Sequence, residues 1–296
     1  MRDYVIVTDS CCDLPKDYIE ENNIPFVSLT FSYNGNEFID DFGKSFDQKE
    51  FFRDMKRGAL PKTSQPNAEQ FLLKFREIIA SGKDVLYIGV SSQLSGTMNS
   101  ARIAEDMIKN ELSENRIYLF DSLSASLGQG LLVMSAIEMQ ESGATYEEVI
   151  DYLEMNVQNL NIYITVDDLA HLKRGGRISN AAATVGMMLH LKPVLTINHE
   201  GRVIPILKIR GRKKTIKRLA EIIKERIIDS EEQRIAICHG DCIEEAIKLR
   251  DIILEENNIK EVLINTIGPV VGTHGGPGAL AVFFMGKERQ QNIIIK

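Results

Sequence analysis

The sequence predicts an α/β protein. An N-terminal α/β domain on a parallel sheet (residues 1–160) is followed by a C-terminal α+β domain (161–296), with a ligand site in the cleft between them. Three observations predict this. Short β-rich runs alternate with helical periodicity through the first half. The texture changes near residue 160, where β-rich runs come to follow one another. The length, 296 residues, suits two domains at ~100–200 residues each. No repeat, low-complexity tract or Pro/Ser-rich linker separates the halves, so they should pack closely.

The elements follow in order. Strands are predicted over Tyr4–Thr8, Asp84–Val90 and Arg116–Phe120, each an apolar β-prone run. Between the first two, Phe26–Tyr33 and Glu37–Ile39 flank Asn34-Gly35, a dipeptide suited to the positive φ angles of a hairpin turn. Asn67 with Gln70 forms a capping box before Phe71, Leu72, Phe75, Ile78 and Ile79, which recur at helical spacing. Thr97–Lys109 and Leu127–Glu141 are the next helices. Gly143 stops the second, and Thr145 with Glu148 caps another that runs to about Asn159.

The second half opens on a strand at Asn161–Thr165 and a break at Lys173-Arg-Gly-Gly-Arg-Ile-Ser, then a small, apolar stretch at Ala181–Leu191. Pro193–Ile197 and Arg202–Ile209 read as strands around the turn Asn198–Gly201. Helices at Lys213–Ile228 and Glu244–Glu256 bracket the strand Arg234–Cys238, with Asp241 and Glu244 as the cap of the second. Strands at Glu261–Thr266 and Ala281–Met285 complete the chain, and between them lies a stiff loop, Gly268–Gly278.

Composition excludes several classes. There are 35 Lys+Arg against 42 Asp+Glu, a net charge of −7, which argues against nucleic acid as the main partner. Apolar residues make up 44 %, yet no run approaches the ~18 residues of a membrane span, leaving at most transient contact with a membrane surface. The start, Met1-Arg-Asp-Tyr-Val-Ile-Val-Thr-Asp, is too short in apolar residues for a signal peptide, so a cytoplasmic location is expected. Four cysteines, Cys11, Cys12, Cys238 and Cys242, are too few for a disulfide framework in a chain of this length. Cys238-His239-x-x-Cys242 lacks the second ligand pair that zinc needs, and no metal or cofactor is expected. Cys11-Cys12 has nothing basic beside it in sequence and reads as a buried, inert pair.

Strand ends point to an anion. Three of the first-half strands run into Asp9-Ser10, Ser91-Ser92-Gln93-Leu94-Ser95-Gly96-Thr97 and Asp121-Ser122-Leu123-Ser124-Ala125-Ser126, and Thr63-Ser64-Gln65-Pro66 precedes a helix. Ligands of parallel sheets bind at the carboxyl ends of strands, where helix N-termini and hydroxyls favour a carboxylate or phosphate. Ser95 and Thr63 exceed what capping requires, whereas capping suffices for Ser122, Ser124 and Ser126. Gly175-Gly176 between Arg174 and Arg177 allows close backbone approach, and the Gly/Pro-dense loop holds His274. Arg202, Lys208, Arg210, Arg212, Lys213, Lys214, Lys217 and Arg218 form a basic stretch in an acidic chain, either a solvated face or a docking surface. Nucleophile-elbow, Walker, dinucleotide and His-Glu-x-x-His signatures are missing, which favours binding over catalysis.

Val7-Thr-Asp-Ser-x-x-Asp-Leu-Pro15, Thr63-Ser-Gln-Pro66, Ser91-Ser-x-Leu-Ser-Gly-Thr97, Lys173-x-Gly-Gly-Arg-Ile-Ser179, Lys192-Pro193 and Gly268-Pro-x-x-Gly-x-His-x-Gly-Pro-Gly278 occur in that order. Together they resemble the DegV family of bacterial fatty-acid-binding proteins, which includes the FakB-like acyl-carrying subunit of fatty acid kinase. The resemblance implies one long-chain fatty acid buried between the two domains. Its carboxylate would be held by Thr63 and Ser95, with Arg177 and His274 at the same polar end and further head-group contacts at Ser10, Ser92 and Gly96. It also implies presentation of that carboxylate to a separate ATP-dependent kinase for acyl phosphate formation in phospholipid synthesis, with Arg210 at the kinase contact. Ala182, Val185, Met187, Met188 and Leu189 are expected to line the acyl tunnel, methionine adapting to varied chain shapes. Cys11-Cys12 departs from the smaller or hydroxylated residues expected in the first motif and alters packing beside the head group. The alternative function is a hydrolase or transferase acting on a small phosphorylated substrate at the same hydroxyl-rich loops.

Overall fold

The computed structural model describes residues 3–111, 116–179 and 191–289. Three sheets are formed among them. The first is wholly parallel, in the order β2-β1-β6-β7, from β1 (Tyr4–Asp9), β2 (Phe26–Val27), β6 (Asp84–Gly89) and β7 (Ile117–Asp121). Central β6 is buried throughout, as a parallel strand covered on both faces must be. The helices α3 (Ala68–Ala80) and α4 (Thr97–Glu111) cover one face, where Phe71 and Phe75 meet Tyr87. The other face is covered by α5 (Leu127–Glu141), nearly all of whose residues up to Ile137 are buried. A helix apolar all round must be enclosed. Here it lies between two sheets, in one core joining Ile6, Leu86 and Leu131 to Ile162, Ala236 and Phe283.

The second sheet has six strands in the order β10-β9-β8-β13-β11-β12: β8 (Leu160–Thr165), β9 (Leu191–Ile197), β10 (Val203–Arg210), β11 (Arg234–His239), β12 (Glu261–Thr266) and β13 (Leu280–Met285). Only β11 and β12 pair in parallel. Its outer face packs on α8 (Arg212–Arg226) and α9 (Ile243–Glu256) through Ile216, Leu219, Ile223, Leu249 and Ile253. Short helices α6 (Tyr146–Asn156) and α7 (Ala170–Arg174) flank the crossing between the halves. Both predicted capping boxes are present, at Asn67/Gln70 and Thr145/Glu148, the latter helix ending at Asn156 and continuing as a 3-10 turn to Asn159.

Three readings are corrected. Phe26–Tyr33 is not one strand: Phe26–Val27 joins the parallel sheet, while β3 (Thr30–Tyr33) pairs with β4 (Asn36–Ile39) and β5 (Lys62–Ser64) in a separate sheet. The change of sheet occurs where the Leu29 N–H donates to Ser10 Oγ instead of to a neighbouring strand. The Asn34-Gly35 turn has the expected positive φ at both residues. Asp241 does not cap α9: the chain enters it through Cys242 without a side-chain cap, and the Asp241 carboxylate instead pairs with Lys56. The stiff loop is a helix, α10 (Pro269–Gly275), with Pro269 in the first turn, where its missing N–H costs nothing. Helices α1 (Lys16–Glu21) and α2 (Gln48–Lys56) form in stretches where the sequence predicts no element.

Candidate functional site

A cavity of about 200 Å³ lies between the halves, larger than the ~150 Å³ of an apolar cavity that takes up benzene. Its floor is the inner face of the second sheet, with Ile164 of β8, Ile197 of β9, Val203 of β10 and Ala281 of β13. The first half supplies the roof, including Val90, Leu94 and Ala125 from the loops after β6 and β7. These loops are held by a carboxylate that sequence reasoning passed over. Asp9, fully buried, accepts from Tyr87 Oη at 2.7 Å, the Val90 N–H at 2.9 Å and the Cys11 N–H at 3.0 Å.

Polar groups gather at one end. Thr63, placed by the pairing of β5 with Phe31 of β3, puts Oγ1 3.0 Å from His274 Nε2 on α10. Ser95 follows β6, in a turn closed by its own N–H on Ser91 O, and its Oγ lies 2.8 Å from Thr97 Oγ1. Half-buried Arg177 donates Nε to Leu94 O at 2.8 Å and Nη1 to Gly175 O. Thr63, Ser95, Arg177 and His274, far apart in sequence, thus share one wall. Burial, and then the nearby Arg177 charge, lowers the His274 pKa to about 4, so the ring is neutral at pH 7. Its Nδ1 has no hydrogen-bond partner among the described residues and faces Gly175, where a Cβ would lie 2.1 Å away. Gly175 therefore serves to admit His274, with an ordinary negative φ, rather than to approach a ligand itself.

Other expected positions fall elsewhere. Ser10 is buried with its hydroxyl engaged by Leu29, and Ser92 is exposed with its N–H on the Asp121 carboxylate, so neither reaches the cavity. Gly96 sits behind Ser95 and makes room for Gln65, which does line the cavity. Ala182, Val185, Met187, Met188 and Leu189 lie outside the described residues. Arg210 is exposed at the end of β10, away from the cavity walls. Ser126 does not cap α5 but donates to the Asp13 carboxylate, and Ser91 donates to Gly201 O across the two halves. Cys11 lines the cavity, and burial, reinforced by Asp9, pushes its thiol pKa well up, an unreactive state. No group of three or more His, Cys, Asp or Glu among the described residues is placed to hold a metal ion. No helix among them is long and apolar enough to cross a membrane.

Within the basic stretch, Arg212 is tied to Glu245 at 2.7 Å and Gly278 O at 2.6 Å, and Arg218 to Glu225 at 2.7 Å. Lys208, Arg210, Lys213, Lys214 and Lys217 have no ion-pair partner among the described residues.

The family profile described as "Uncharacterised protein, DegV family" matches residues 3–287. A DegV domain-containing protein of Clostridium perfringens is 40 % identical over 290 residues, covering 98 % of this chain and 100 % of its own. A DegV family protein of Thermus thermophilus, described by its fatty acid binding, superimposes with a TM-score of 0.86 at 32 % identity, covering 97 % of this chain and 100 % of its own. DegV of Bacillus subtilis, described as a fatty acid binding protein, gives a TM-score of 0.83 at 32 % identity with the same coverage.

Proposed function

The chain belongs to the DegV family, and from that premise we propose that it binds one long-chain fatty acid in the cavity between its halves. The carrying observation is the cavity's asymmetry: apolar along the sheet floor, with Thr63, Ser95, Arg177 and His274 collected at one end. Burying ~15 methylenes at about 0.8 kcal/mol each contributes on the order of 12 kcal/mol before ordering costs, so the tail supplies affinity. The head group fixes orientation, since a carboxylate leaving water needs donors that replace its hydration. Thr63 and Ser95 hydroxyls and the Arg177 guanidinium are such donors. The fatty-acid-binding descriptions of the Thermus thermophilus and Bacillus subtilis proteins support the same ligand class. Gently purified protein should carry a long-chain fatty acid, visible as an added mass in native mass spectrometry and released on denaturation. No acyl ligand and no uptake of added fatty acid would refute the reading. Removing both hydroxyls, Thr63→Val with Ser95→Ala, should weaken binding about ten-fold or more, the loss of two hydrogen bonds to a charged group.

The protein would hand this carboxylate to a separate ATP-dependent kinase, itself remaining non-catalytic. The unpaired cations Lys208, Arg210, Lys213, Lys214 and Lys217 offer a surface for an acidic partner. Charge reversal at Arg210 should leave fatty acid binding intact and abolish kinase-coupled phosphorylation. Loss of both together, or of neither, removes Arg210 from the docking surface. The hydrolase or transferase alternative has the Thr63–His274 pair in its favour, but His274 Nδ1 meets Gly175 rather than an orienting carboxylate. Turnover by the isolated protein would favour it.

A further inference from the structure

The fatty-acid reading leaves open what limits the tail, and resting on that reading we propose that Phe283, seated on Gly128, is the end wall of the cavity and sets the longest acyl chain admitted. Alternation from Ala279 along β13 turns Ala279, Ala281 and Phe283 toward the cavity, and Leu280, Val282 and Phe284 toward the core under α8 and α9. Ala279 marks the polar end, since a Cβ on Gly275, next to His274, would lie 3.2 Å from its Cβ. Two alanines then keep the floor low. Phe283, four residues on from Ala279 and about 13 Å further at ~3.3 Å per residue, brings the first large side chain on the cavity face of this strand.

The register makes this a wall across the sheet. Phe283 pairs with Ile162, Tyr163 with Thr196, and Ile197 with Val203, so Phe283, Ile162, Ile197 and Val203 stand in one crosswise row, all four on the cavity. Behind that row the two halves are stapled, by Ser91 Oγ on Gly201 O at 2.9 Å and by Arg289 Nη1 on Leu123 O at 2.9 Å. The ring itself rests on the α5 backbone. A Cβ on Gly128 would lie 2.3 Å from Ser124 Oγ, 2.8 Å from Phe283 Cδ1 and 3.2 Å from Cε1, so it meets both the Ser124 hydroxyl and the ring. The glycine thereby lets Phe283 lie back and leave its volume to the ligand.

The test loads wild-type protein, Phe283→Leu, Phe283→Ala and Gly128→Ala with an equimolar mixture of saturated fatty acids of graded length. Bound acids are then identified by denaturing mass spectrometry. Trimming Phe283 should shift the bound set to longer acids, by about four-fold in relative affinity for each further methylene admitted. Gly128→Ala should push the ring inward and shift the set to shorter ones. Phe283→Leu keeps most of the apolar bulk and decides the matter where the harsher variants do not fold. One acid per chain with the wild-type length profile in Phe283→Leu overturns the end-wall assignment and leaves the fatty-acid reading standing. No acid in the wild type overturns that reading, and the assignment with it.

Discussion

Arg177→Ala is expected to lower affinity for a long-chain fatty acid by roughly a hundred- to a thousand-fold while leaving the affinity for the matching methyl ester nearly unchanged. Arg177 is the one permanently charged side chain on the cavity wall among the described residues, because His274 is held neutral. Burial lowers the Arg177 pKa, the mark of a cation short of solvent, and an arriving carboxylate relieves that shortage. Removing one partner of such a pair typically costs about 2–5 kcal/mol, because the other charge is left without compensation. The ester carries the same tail without the charge, so comparing the two ligands separates charge pairing from damage to the cavity. That control matters, since Arg177 also ties the loops at Leu94 and Gly175. Arg177→Lys should fall between, keeping charge but losing the planar fork. Calorimetry showing equal losses for acid and ester would remove Arg177 from the head-group site and make it a loop tie.

Much of this site was legible because its loops carry more hydroxyl and glycine than their turns require. Ser95, Thr63, Arg177 and His274 stood out on that ground and meet at one wall. The resemblance put them in one role, whereas spacing alone could not, since Thr63 and His274 are brought together only by a three-residue strand and a seven-residue helix. Both elements are too short for periodicity to register. Lys62-Thr-Ser64 shows one β-branched residue, and Pro269–Gly275 reads as part of a turn because glycine and proline dominate the Gly268–Gly278 stretch that contains it. Tertiary contacts form that helix. Gly272 lets Phe52 approach, a Cβ there falling 2.7 Å from the ring, and carboxylates from the first half meet its N-terminus. The same limit hid the scaffold role of the first motif. Asp9 ends an apolar strand at Ser10 and Asp13 precedes Leu14, which says nothing of burial; both are buried, paired with groups far along the chain, Tyr87 for Asp9 and Ser126 and Gly268 for Asp13. The cavity floor was invisible for another reason: an inward-facing alternation such as Ala279, Ala281, Phe283 is also what an ordinary core strand shows.

Asp13 carries the second large effect, on stability. Its carboxylate takes the Ser126 hydroxyl on one oxygen and the Gly268 N–H on the other at 3.0 Å, while its carbonyl takes Asn265 Nδ2 at 2.8 Å. It thereby clamps the first half to the N-terminus of the helix bearing His274. Asp13→Ala leaves two buried donors unpaired and should cost about 2–4 kcal/mol, with a parallel loss of fatty acid binding as α10 loosens. Asp13→Asn tests the charge separately. Burial, only partly offset by those hydrogen bonds, raises the Asp13 pKa to about 7 from an ordinary 3.8. The folded state therefore holds this proton more tightly than the unfolded chain. The associated stability is complete below about pH 4, is lost as pH rises toward 7, and changes no further above it, at up to about 1.4 kcal/mol per pH unit. Asp40, also buried and raised in pKa, acts in the same sense, and His274 acts in the opposite sense, losing stability as pH falls from 6.5 toward 4. The difference between wild type and Asp13→Asn cancels His274, while Asp40, whose pKa the Asp13 charge also raises, adds to that difference in the same direction. Denaturant unfolding across this window should show Asp13→Asn gaining on the wild type as pH rises from about 4 to 7. Parallel stability curves would mean that Asp13 is ionised at no cost in the fold, and that the clamp is a charged one.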